Sequence, residues 1–77
     1  MQIEKLVYMA NQIGKFFAAQ GAEAEIAGVA DHLRKFWDPR MRTQIINHVR
    51  EGGGGLDTNV AVAVARLSAN AAADKQT

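Results

Sequence analysis

Few side chains in this sequence could take part in making or breaking bonds. His32 and His48 are its two histidines, Asp31 and Asp38 lie close to the first, and Ser68 stands apart near the C terminus. Catalysis needs a nucleophile, a base or a metal held in position, and these spacings supply none. The histidines fall in different segments without the close spacing of known zinc motifs, so surface or capping roles suit them better. Ser68 has no base beside it in the sequence. The run Gly52 to Gly55 lacks the lysine and the serine or threonine of a phosphate-binding loop and continues instead into Leu56 and Asp57. There is no cysteine, which excludes disulfides, thiolate zinc sites and ordinary iron–sulfur ligation. The chain is therefore expected not to be an enzyme by itself, with no catalytic, cofactor-binding or metal-binding residue.

Binding remains, and size makes it attractive. A chain of 77 residues forms one small domain, and such a domain buries only about 60% of the surface its unfolded chain exposes. Without disulfides or metals, helix packing and association with another chain must supply the stability. The formal net charge of +1 gives no general drive toward nucleic acid. Glu4 and Lys5 interrupt the amino-terminal apolar stretch, and no apolar run long enough for a signal sequence or a membrane span follows. A cytoplasmic location is the expectation.

The stretch richest in interaction chemistry is His32-Leu33-Arg34-Lys35-Phe36-Trp37-Asp38-Pro39-Arg40-Met41-Arg42. It contains the one tryptophan and the one proline of the chain, together with its densest group of cations. Asp-Pro reads as a joint between two helices, because proline disfavours the α conformation in the residue before it. Asp38 can cap the following helix, and Pro39 at its first position already has the required φ. Arg40 and Arg42 then break a rule, since acids and not bases suit the positive end of a helix. Such local violations mark candidates for function. For Arg42 a weak surface ion pair with Asp38, four residues earlier, is an equal alternative.

The elements that carry this stretch are helical. Ile3, Leu6, Val7, Ala10, Ile13 and Phe17 fall on one face of a helix running from Ile3 to about Gln20, with Gly14 placed to let a second helix come close. Tyr8 and Phe16 lie off that stripe and are read as covering its edges in preference to touching a partner. After a turn at Gly21, a second helix over 22–37 places Ile26, Val29, Ala30, Leu33 and Trp37 inward, with Glu23 and Glu25 early and Arg34 and Lys35 late, as the macrodipole favours. Pro39 to about Glu51 forms the third, with Met41, Ile45, Ile46 and Val49 on one face. The pattern predicts an all-α fold: a three-helix body (1–51), a Gly-rich hinge (52–55) that nothing in the run anchors, a shorter C-terminal helix (56–68) and a frayed tail (69–77).

Two kinds of binding fit the tryptophan-centred stretch. As a protein-interaction module, it offers Phe36 and Trp37 as apolar anchors and Arg34, Arg40 and Arg42 as charged contacts. As a small helical nucleic-acid-binding protein, the alternative, it would need a broad basic surface and a recognition helix that the near-neutral charge and short joint do not favour. The run from His32 to Arg42, preceded by Met9-Ala10-Asn11-Gln12-Ile13-Gly14 and Phe16-Phe17, resembles the small delta subunit of the soluble, NAD-dependent, molybdenum-containing formate dehydrogenases. That resemblance implies an accessory subunit without a redox centre. In that family an alpha subunit holds molybdopterin and iron–sulfur clusters, while beta and gamma subunits carry FMN, clusters and the NAD site. It further implies assembly or stabilisation of the complex, with His32, Arg34, Lys35, Phe36, Trp37, Asp38, Arg40, Met41 and Arg42 placed against alpha.

Overall fold

A computed structural model describes residues 2–76, with side chains through residue 69, and among these residues the regular structure is entirely helical. The helices are α1 (Ile3–Ala18), α2 (Ala22–Phe36), α3 (Pro39–Arg50) and α4 (Thr58–Gln76). α1 ends slightly earlier than its periodicity suggests, as Gln20 N bonds Phe17 O at 3.0 Å and Gly21 N bonds Ala18 O at 3.1 Å. These i to i+3 bonds tighten the last turn, and Gly21, at φ 101°, then reverses the chain.

α4 is an integral wall of the fold. It packs chiefly on α2 and also meets α3 and α1. Val60, Ala63, Val64 and Leu67 are buried with Leu6 and Ala10 of α1, Ile26, Val29 and Leu33 of α2, Trp37, and Ile45 of α3. Periodicity alone placed the last helix over 56–68, whereas α4 continues to Gln76 and has 19 residues. Alanine, the strongest helix former, dominates the added turns and propagates the helix without an apolar stripe. Exposed links reinforce the packing: Arg66 reaches Glu23 of α2 at 3.3 Å, and Arg50 Nη2 donates to Ser68 Oγ at 3.1 Å.

Three helices converge at Gly14. An ideal Cβ on this residue would lie 2.5 Å from Val60 Cγ2 of α4 and 3.1 Å from Glu25 Oε2 of α2, closer than packed atoms tolerate. The missing side chain thus sets the approach of α1 to both neighbours. Glu25, in the first turn of α2, is buried there and accepts a hydrogen bond from Asn59 Nδ2 of α4 at 3.0 Å. A buried carboxylate requires such a partner, and the positive end of α2 stabilises it further.

The glycine run is tied down. Gly52, Gly53 and Gly55 adopt positive φ values of 120°, 66° and 86°, which a side chain would resist. Asn11 of α1 grips the loop with both ends of its amide: Nδ2 donates to Gly55 O at 2.9 Å, and Oδ1 accepts from Asp57 N at 2.9 Å. From α3, His48 Nε2 lies 2.7 Å from Gly54 O, and because a carbonyl only accepts, Nε2 carries the proton. The expectation of an unanchored run looked for side chains within it. The anchors are its own carbonyls, held by residues of α1 and α3.

Gly14→Ala is expected to lower stability by about 1–3 kcal/mol through overpacking, although alanine favours an isolated helix by about 1 kcal/mol. Urea unfolding followed by circular dichroism measures the difference, and a raised midpoint would contradict the close approach.

Candidate functional site

The joint between α2 and α3 brings together the nine residues expected to meet a partner and then divides them by what they touch. Asp38 turns the corner as anticipated, its carboxylate accepting from Met41 N at 3.0 Å with Pro39 at the first helical position. Trp37 leaves α2 in extended conformation and is only 5% exposed. It completes the core, and partly buried Met41 packs against the same cluster. Phe36, its immediate neighbour, is 72% exposed. Of the two adjacent rings, one closes the interior and the other stands outside.

Arg42 does not project outward. Its Nη1 donates to Arg34 O at 3.2 Å and to Trp37 O, both at the C-terminal end of α2. The last carbonyls of a helix lack partners within it and carry partial negative charge, so a guanidinium there satisfies both needs. The same arginine that offends the start of α3 thereby suits the end of α2, because the two ends adjoin. Its pairing with Asp38 is not observed among the described residues, where the Asp38 carboxylate serves the Met41 amide.

Arg34 and Lys35 converge on Asp31, with Arg34 Nη2 at 2.5 Å from Oδ1 and Lys35 Nζ at 3.0 Å from Oδ2. The hydrogen bond from Arg34, then that from Lys35, holds the Asp31 carboxyl below its ordinary value. All three side chains are substantially exposed, so the pairs order this face and contribute little to stability. His32, half-buried, lies against the Phe36 ring with centroids 4.8 Å apart and planes tilted by 43°. Arg40 is exposed and borders a shallow hollow with Pro39, Thr43, Gln44 and Asn47. The outward part of the corner is therefore His32, Arg34, Lys35, Phe36 and Arg40. Trp37, Met41 and Arg42 build the joint beneath it, and exposed Asp38 caps α3.

This arrangement suits recognition: an aromatic ring backed by an imidazole and flanked by cations. Among the described residues no group of three or more histidines, aspartates or glutamates is placed to hold a metal ion. Among these residues, too, no helix is long and apolar enough to cross a membrane. Tyr8 and Phe16, read from the sequence as edge-covering residues, are 64% and 75% exposed, and Phe16 meets Phe17 of the stripe edge to face. Their displacement from the apolar face was the available signal, and helical spacing alone did not say how far out they stand.

Arg42→Ala should cost about 1–2 kcal/mol by leaving α2 carbonyls unpaired, read as a lower urea midpoint together with a red shift of Trp37 emission. For Asp31, a lowered folded-state pKa means that its contribution is present above the unfolded value of 3.8 and lost as the pH falls. Carboxyl-detected NMR should find Asp31 titrating below that value, and titration at or above it would contradict the two-cation grip.

Residues 5–64 match the family described as NADH-dependent formate dehydrogenase delta subunit, FdsD. No curated protein and no solved structure matches the chain. The matched span takes in nearly all of α1, all of α2 and α3, the tied glycine loop and the buried first turns of α4. It thus includes both the Gly14 junction and the aromatic, cationic corner, and the chain belongs to the delta subunits of NADH-dependent formate dehydrogenase.

Proposed function

We propose that this chain is a non-catalytic accessory subunit that binds and stabilises, or helps assemble, a cytoplasmic NAD-dependent formate dehydrogenase. It docks on the molybdopterin-containing alpha subunit and is joined through alpha to the beta and gamma subunits. In this reading, molybdopterin, the iron–sulfur clusters, FMN and NAD all belong to those partners. The observation that carries it is the family match over residues 5–64. The outward half of the α2–α3 corner supports it physically, since exposed aromatic and arginine side chains are the types that dominate binding energy at protein interfaces. Nucleic-acid binding gains no support, because Arg34 and Lys35 are engaged with Asp31 and Arg42 with backbone carbonyls.

The role of this surface is to offer Phe36 to an apolar site while Arg40 reaches a carboxylate or a helix-end carbonyl of the large subunit. Charge-assisted hydrogen bonds of this kind are short and directional, and removing one partner from a buried pair is costly. Co-expressed with the enzyme, an affinity-tagged chain should retain the alpha subunit, and omitting the chain should lower the yield of assembled, active enzyme. Arg40→Ala should weaken that retention by about tenfold or more with helical content unchanged. Full assembly without the chain, together with no recovery of alpha, would refute the accessory role.

A further inference from the structure

We propose that the seam between α1 and α2 is a docking groove for a single amphipathic, carboxylate-flanked helix of another enzyme subunit. The proposal rests on the reading of the chain as an accessory subunit and specifies the surface and the partner chemistry.

The seam is defined by one contact. An ideal Cβ on Gly28 would lie 2.7 Å from Phe17 Cδ1, so the ring of Phe17 fills the space that this glycine leaves. That packing fixes which side of α1 faces which side of α2. The link between the helices is only three residues, Ala19 to Gly21, and α2 runs back along α1. Two turns toward the start of α1 from Phe17 is Met9, and two turns along α2 from Gly28 is Phe36, each about 12 Å away. Ile13 and His32 fall between them. The seam is therefore floored by partly buried Met9, Ile13, Phe17 and His32, with exposed Phe16 and Phe36 at its two ends.

Both terminal rings are propped in place. Phe16 meets Phe17 edge to face, with centroids 5.1 Å apart and planes at 87°, and Phe36 leans on His32. An exposed ring already held in position loses less freedom when a partner covers it, which favours binding. Measured along the helix axes, the two rings stand about two helical turns apart, the span over which a helix presents successive anchors to a groove.

Charge selects the occupant. Lys5 is exposed on α1, and on α2 two cations, Lys35 and Arg34, share the single Asp31 carboxylate, so this face keeps a net positive charge. A second copy of this chain would bring these cations against one another, whereas a helix flanked by carboxylates would complement them. Tyr8 provides an internal control, since it is 64% exposed yet lies about 100° round α1 from Met9, outside the seam.

The test measures binding of the full chain to purified enzyme assembled without it. Phe16→Ser with Phe36→Ser should raise the dissociation constant by at least about tenfold, with circular dichroism and melting unchanged. Lys5→Glu with Lys35→Glu should also weaken binding, and Tyr8→Ser should leave it within about twofold. Binding of the double serine variant within about twofold of the original would overturn the groove, as would an equal loss from Tyr8→Ser. So would sedimentation showing a self-associated chain that the serine pair dissociates, or a preference for anionic phospholipid vesicles over the enzyme. Failure of the unaltered chain to bind the enzyme is a separate result, and it would remove the accessory-subunit reading itself.

Discussion

The architecture depends on the absence of a side chain at Gly14. There α1 comes close enough to α4 for Val60 to occupy the space where a Cβ would stand, and close enough to α2 for the Glu25 carboxylate to lie alongside. A domain of this size has no second core to compensate for a gap, so the convergence of three helices at one small residue matters more than it would in a larger protein. The buried Glu25–Asn59 hydrogen bond then fixes α4 against α2 at the same level. Polar and apolar packing meet at this one point, and the rest of the core, from Leu6 to Trp37, extends from it.

The second organising feature is the adjacency of two helix ends. The C terminus of α2 exposes carbonyls and the N terminus of α3 exposes amides, and the Asp38-Pro39 joint places them side by side. Asp38 serves the amides and Arg42 the carbonyls, so each side chain crosses to the charge that suits it. This crossed capping makes a rigid corner of a connection only two residues long. It holds Trp37 inward and leaves Phe36 supported by His32 on the outside.

The surface of this chain is distinguished by its exposed aromatic side chains. Its polar groups are used in caps, loop ties and surface ion pairs, and its distinctive resource is aromatic surface held in fixed positions. Phe16, propped by Phe17, and Phe36, propped by His32, are ordered features on either side of a seam.

Helical periodicity is a local property, and it was sufficient to identify four helices, the capping role of Asp38, the turn at Gly21 and the close approach at Gly14. The tryptophan-centred run likewise carries the resemblance to the delta-subunit family. What periodicity could not reach was the destination of side chains near helix ends, which neighbouring elements decide. Phe36 stays outside while its neighbour Trp37 closes the core, and Arg42 folds back because the last carbonyls of α2 lie within its reach. The glycine loop is held by Asn11, more than forty residues away in sequence, a contact that no reading of adjacent residues reveals. Local spacing thus determined the helices and their buried stripes. Tertiary packing alone decided which of the remaining side chains serve the fold and which stay free for a partner, because that depends on distances between segments far apart in the chain.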